Sequence, residues 1–331
     1  MVKLSTLIYR GNIIESRHIA ACSIKDIYNK DVLSTNDEDL IVYPRSSIKI
    51  FQALPFVASN AHIIFNLTKK NIAMSCSSHA GEPRHIKVLR QWIKKININY
   101  KYLKCGVHNP LNENCSNNLL LSGNKPTELH NNCSGKHLGM ISGCLAKKMQ
   151  IKNYIDFSHP YQKSIRRSIE EFMQSKIKNK NIGTDGCNAP QYAFKLVNLS
   201  IAMINLIKSK ENNNKYTKEI NIILKSINEY PFLIGGLNRF DSEIIKVTKG
   251  RIFCKGGAEG VLLFTDFQKK IGGAIKIIDG NNRALPPIAM HLFHKLNMLN
   301  YNEKGQLNKW LHQKLYNHAK KEIGKIIFSS N

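Results

Sequence analysis

The chain carries β-type runs at its two ends and helical periodicities between them, and this distribution limits the folds open to it. Near the N-terminus two short runs flank Gly11-Asn12, a hairpin signal joining strands at about 7–10 and 20–24. Toward the other end three strands are predicted, at about 251–254, 261–265 and 274–278. Strands at both ends with helices between predict one α/β domain spanning 1–331, its terminal strands sharing a sheet that helices flank. No repeat period is visible, and no low-complexity linker divides the chain.

Between the ends, Pro44 closes a short strand at 40–43, and Ser46 can cap a helix carrying Ile48, Phe51, Gln52 and Leu54. Glu82-Pro83 opens a helix whose apolar stripe is Ile86, Val88, Leu89, Trp92, Ile93 and Ile96. Residues 105–132 are rich in Gly, Pro and Asn and read as loop. Helices are predicted at about 135–148, at 161–177, from Pro190 through 208, at 217–228, and finally at 282–299 and 307–324.

Of the 331 residues 42% are hydrophobic, enough for a sizeable core and too many for a wholly disordered chain. Lys+Arg 49 against Asp+Glu 23 gives a formal charge of +26, which points first at a polyanionic partner. Only about ten of the basic residues are Arg, the usual reader of base edges, and the lysines are spread along the chain. Lys, Asn and Ile are over-used together, and all three have A/T-rich codons. Codon bias therefore accounts for the charge, and no nucleic-acid partner is expected. The N-terminus lacks the apolar segment of a secretory signal, and no stretch approaches the roughly 18 apolar residues of a membrane span. The expected location is cytoplasmic, with the eight cysteines reduced and no CxxC pair among them.

Five segments hold chemistry-bearing residues. In Pro44-Arg45-Ser46-Ser47-Ile48-Lys49, a helical turn would set Ser46 and Lys49 on one face. A neutral lysine there can take the serine proton, the device of penicillin-binding proteins and β-lactamases; the plainer reading is a helix cap beside an exposed lysine. Ser77-Ser78-His79-Ala80-Gly81-Glu82 could be a nucleophile loop or simply the entry to the next helix, with His79 read as structural. In Asn131-Asn132-Cys133-Ser134-Gly135-Lys136-His137 the cysteine falls at a helix N-terminus, where the dipole favours thiolate. Cys133 could be a nucleophile, a metal ligand or an inert buried thiol. Thr184-Asp185-Gly186-Cys187-Asn188-Ala189-Pro190 makes a tight loop with a second cysteine beside an aspartate. Two such cysteines form a pattern that zinc chemistry could use. Lys255-Gly256-Gly257-Ala258-Glu259-Gly260 follows a strand, where its glycines allow close approach, and it lacks the spacing of a dinucleotide fingerprint.

Taken in order, these segments resemble the rhizobial-type, zinc-containing (class 3) L-asparaginases. The similarity rests on Arg10-Gly-Asn-Ile-Ile-Glu-Ser-Arg-His18, the Arg45–Lys49 stretch with Gln52-Ala-Leu-Pro55, Ser78-His-Ala-Gly-Glu-Pro83, Cys105-Gly-Val-His108, His130-Asn-Asn-Cys-Ser-Gly-Lys-His137, Thr184-Asp-Gly-Cys-Asn-Ala-Pro190 and Lys255-Gly-Gly-Ala-Glu-Gly260. The resemblance implies a fold similar to serine β-lactamases and some glutaminases, and a homodimer. It implies two Ser–Lys pairs, Ser46 with Lys49 and Ser78 with Lys255, and a zinc ion held by Cys133, Lys136, Cys187 and water. Asp185 would stand behind the zinc ligands, and Arg45 and His137 would border the substrate, L-asparagine. Ile50 and Ser242 depart mildly from the family pattern, which usually has Pro and Thr there. Two alternatives stay open: another Ser-x-x-Lys amidohydrolase, acting on glutamine, a β-lactam or a peptide amide, and a basic binding protein without catalysis.

Overall fold

The computed structural model describes residues 4–212 and 214–330. Its contacts group into two compact units. The first draws on the described parts of Met1–Ser47, Phe194–Lys208 and Glu243–Asn331; the second comprises Ile48–Ala193 and Ser209–Ser242, likewise as described.

The first unit is built on one antiparallel sheet. The strands Gln313–Tyr316, Glu322–Ser330, Leu4–Arg10, Ile13–Asp26, Ile271–Ile277, Val261–Asp266 and Ile252–Gly257 lie side by side in that order, and Asp31–Ser34 also pairs with Ile13–Asp26. The two ends of the chain therefore share a sheet, as the sequence predicts, with Leu4 opposite both Ala20 and Ser330. Ile24, Phe264, Ala274 and Ile275 are fully buried, and the Phe264 ring meets Phe293 of the Leu285–Lys295 helix edge-on, centroids 5.1 Å apart. Gly272 lets the Leu196–Glu211 helix come close: a Cβ there would stand 2.9 Å from the Met203 Cβ.

The second unit is helical, and its centre is the Ser134–Ala146 helix, buried from Ser134 through Cys144. Glycine on one stripe makes that burial possible. A Cβ on Gly135 would lie 2.1 Å from the Met74 carbonyl oxygen, and one on Gly143 would lie 2.4 Å from the Tyr161 ring. The Lys69–Ser75 and Pro160–Met173 helices can thus press against it with almost no spacer. Trp92 of the Pro83–Lys95 helix closes another side, its Nε1–H donating to Ser142 Oγ at 2.9 Å.

Three predicted elements differ. The helix expected from Pro190 begins at Leu196, because Pro190–Tyr192 pairs as a strand with Ile182–Thr184 around a turn that Asn188 closes at φ 64°. The helix expected at 307–324 gives way to the Tyr301–Leu311 helix and two strands; Glu322–Ser330 supplies the hydrogen-bond partners that Leu4–Arg10 needs on its second edge. Within 105–132 lies a helix, Glu113–Leu121, whose Cys115 N–H donates to the Asn112 cap; it buries no side chain, so it carries no apolar stripe to read. Gly143→Ala should cost about 1–3 kcal/mol through overpacking against Tyr161, seen as a lower urea midpoint at unchanged m-value.

Candidate active site

Four lysines are buried among the described residues: Lys25, Lys49, Lys136 and Lys255. Lys25 pairs with Asp31 at 2.5 Å. The other three are the lysines singled out by motif.

Lys49 opens the short Lys49–Gln52 helix and is fully buried in the second unit. Its Nζ donates to the Ser77 carbonyl at 2.5 Å and lies 3.1 Å from Ser78 Oγ and 3.2 Å from Cys133 Sγ. Three acceptors match the three donors of an ammonium. The same contacts also suit a neutral amine that donates twice and accepts the Ser78 proton. The 77–82 loop that presents Ser78 is held by its own backbone. Ser78 N–H donates to Ile234 at 2.8 Å and Ala80 N–H to Gly235 at 2.9 Å, while Glu82 accepts the Leu237 N–H at 2.9 Å.

His79 serves the loop rather than the chemistry. Gly81 N–H donates to its Nδ1, so its Nε2–H donates to Ser134 Oγ at 2.8 Å, and Ser134 in turn donates to the Leu129 carbonyl. Burial holds its pKa well below the ordinary histidine value, so the ring is a neutral brace at the start of the central helix.

Cys133 stands at that helix N-terminus, its N–H received by Asn131 Oδ1 at 2.9 Å. Cys187 and Asp185 come from the 182–192 hairpin. The thiol sulfurs and a carboxylate oxygen of these three buried residues lie within 4.8 Å of one another. Lys136 Nζ lies 3.0 Å from Cys187 Sγ and 3.6 Å from Asp185 Oδ2. The hydrogen bond from Cys133, helped by Lys136, lowers the Cys187 pKa to about 5, whereas Cys133 is pushed up by donating that bond and by burial. Cys187 Sγ also lies 3.4 Å from Asp185 Oδ2, which can accept its proton. Burial pulls the Lys136 pKa down, but Cys187, Cys133 and Asp185 outweigh it and the net shift is upward, leaving an ammonium. Two thiols, a carboxylate and an amine make a soft, compact donor set of the kind zinc favours.

One short stretch of backbone ties both cysteine loops together. Asn131 Nδ2 donates to the Cys105 carbonyl at 2.8 Å, and Asn188 Nδ2 donates to the Lys104 carbonyl at 2.9 Å. His137, one residue past Lys136, is fully buried, and burial lowers its pKa to about 3. Its Nδ1 lies 2.6 Å from Tyr154 Oη, and its Nε2 has no hydrogen-bond partner among the described residues. Tyr154, Asn131 and Asn188 were not singled out by motif. A tyrosine in a loop far from the motif blocks carries no sequence signal, whereas the two asparagines sit inside the blocks and could have been read as loop clamps.

The remaining candidates belong to the first unit. Ser46 is half-buried in the 3₁₀ turn Arg45–Ile48, with Arg45 at φ 52°; Ser47 Oγ fixes that turn by donating to the Pro44 carbonyl at 2.6 Å. Gly257 packs against the turn, where a Cβ would meet the Pro44 oxygen at 2.5 Å. Lys255 lies buried on the Ile252–Gly257 strand and donates to the Gly256 carbonyl at 3.0 Å.

No helix among the described residues is long and apolar enough to cross a membrane. The family model for L-asparaginase II matches residues 7–328. No curated protein matches the chain. Among solved structures, one described as "putative beta-lactamase from Bacteroides dorei DSM 17855" aligns over 89% of this chain and 93% of that chain, at 8% identity and a TM-score of 0.42. If the thiol–carboxylate cluster holds a metal, Cys187→Ser protein should retain much less divalent metal than wild type after identical dialysis, measured by inductively coupled plasma mass spectrometry. Equal content in the two proteins would rule the cluster out.

Proposed function

Because the chain belongs to the L-asparaginase II family, we propose that it hydrolyses the side-chain amide of L-asparagine to aspartate and ammonia through an acyl-enzyme. The observation that carries this reading is the buried Lys49 amine, 3.1 Å from the buried Ser78 hydroxyl. The match over residues 7–328 supports treating the whole chain as one asparaginase domain.

In this reading Ser46 attacks the side-chain amide carbon, forming the C–O bond while its proton is taken up by an amine base. Ammonia departs with that proton, and water then attacks the ester, releasing aspartate and restoring the hydroxyl. Lys49 and Lys255 are the bases, and Ser78 is the hydroxyl through which Lys49 holds or passes a proton. Lys49 has to give up a proton before it can accept one. Arg45 and His137 border the substrate. Cys133, Lys136 and Cys187 would hold a zinc ion, with Asp185 behind them. When bound, the ion supplies a fixed positive charge that orients an anionic substrate group. Lys136 must shed its proton to bind the metal, so zinc affinity falls with falling pH.

The eight free cysteines support a reducing, cytoplasmic location, and the resemblance to the zinc-containing class supports a homodimer. Purified protein should release ammonia from asparagine. Lys49→Ala should lower kcat by about 10²- to 10⁴-fold, the usual contribution of a general base. Ser46→Ala should also fail to form a radiolabelled acyl-enzyme on acid quench; a wild-type rate in that variant would move the acyl group to Ser78.

A further inference from the structure

Tyr154 is fully buried and tied down at both ends. Gln162 Nε2–H donates to its backbone carbonyl at 2.8 Å, and Lys104 N–H donates to its phenolic oxygen at 2.8 Å. With an N–H already occupying one lone pair, the phenol has one proton to place and one neighbour close enough to take it, His137 Nδ1 at 2.6 Å. The opposite assignment would bring two N–H groups onto one oxygen and leave a buried O–H without an acceptor, which folded proteins avoid. Nδ1 is therefore the acceptor, and the ring proton sits on Nε2.

We infer that Tyr154 is a positioning residue that locks His137 in its Nε2–H tautomer, so that the ring offers a donor to an oxygen of the bound asparagine. The inference rests on the asparaginase reading for the identity of that oxygen, not for the tautomer. Two observations place the donor at the site. Nε2 is buried and makes no hydrogen bond among the described residues. The residue also follows Lys136 directly, and its backbone N–H donates to the Cys133 carbonyl at 3.1 Å. The protonated nitrogen has a second effect: an imidazole whose Nε2 carries hydrogen has no lone pair there to give a metal. This explains how a histidine can stand next to Lys136 in the Cys-Ser-Gly-Lys-His stretch without competing for the ion.

The test uses the full-length protein labelled with ¹⁵N-histidine, with the His137 ring signals identified by their loss in His137→Gln. Long-range proton–nitrogen correlation should show the Nε2–H form in wild type and its loss or mixing in Tyr154→Phe. In that variant kcat/KM for asparagine should fall about 10- to 100-fold, the usual cost of removing a group that orients a site residue. Retained metal should stay at the wild-type level. A fall carried by KM would place the oxygen on the ground-state substrate, and one carried by kcat would place it on the oxyanion; both support the inference. An Nδ1–H tautomer in wild type would overturn it, as would a variant within about twofold of wild-type kcat/KM. If Tyr154→Phe does not fold, the wild-type tautomer alone decides. A wild type that shows the Nε2–H form yet releases no ammonia would overturn the asparaginase reading and leave the tautomer lock standing.

Discussion

Two lysine amines withdrawn from water dominate the energetics of the second unit. A buried amine is costly without hydrogen-bond partners, and the elements around Lys49 and Lys136 bring oxygen or sulfur to them. The start of the central helix delivers Cys133 to Lys49, and the 77–82 loop delivers the Ser77 carbonyl and the Ser78 hydroxyl. The 182–192 hairpin delivers Cys187 and Asp185 to Lys136. The glycine stripe follows from the same demand, since the helix can carry Cys133 and Lys136 into the interior only if its neighbours lie almost on its backbone. Removing any one of these acceptors leaves a buried nitrogen short of a partner rather than merely deleting a contact.

The charges make one compact arrangement. Cys187 Sγ lies 3.0 Å from Lys136 Nζ, and Cys133 Sγ lies 3.2 Å from Lys49 Nζ and within 4.8 Å of Cys187 Sγ. Hydrogen bonds thus link the proposed base to the proposed metal ligands through one sulfur atom. A change of protonation or ligation at Cys133 alters what Lys49 has to donate to. In this sense the Cys133–Asp185–Cys187 cluster and the Lys49–Ser78 contact are joined through hydrogen bonds.

Local signals were legible where they acted locally. The Gly11-Asn12 hairpin, the Pro83–Lys95 helix and the strands around 252–277 follow from turn chemistry and periodicity. Gln313–Tyr316 and the start of Glu322–Ser330 were misread as helix, because these strands pair with each other and the second pairs with Leu4–Arg10, more than 300 residues away. Pro190–Tyr192 was misread because a left-handed Asn188 turns the chain back before the helical pattern begins. At the site, the motif blocks named the residues that gather in the second unit: Lys49, Ser78, Cys133, Lys136, His137, Asp185 and Cys187. Within the second unit, the amine beside Ser78 is that of Lys49. Burial separates the three motif lysines from the rest of a lysine-rich chain: among the described residues, the buried lysines are these three and Lys25. Tyr154 escaped notice because an orienting group acts through another residue and needs no fixed spacing from it.

The two side-chain amides that clasp the carbonyls of Lys104 and Cys105 make those adjacent residues a gauge block for the site. Consecutive Cα atoms lie about 3.8 Å apart across a trans peptide, so the two cysteine loops are both anchored to neighbouring residues of one short stretch of backbone. Insertions and deletions should therefore be tolerated in the exposed stretch around the Glu113–Leu121 helix. A single residue gained or lost at 104–105 would displace both sulfur-bearing loops at once, without touching a catalytic side chain.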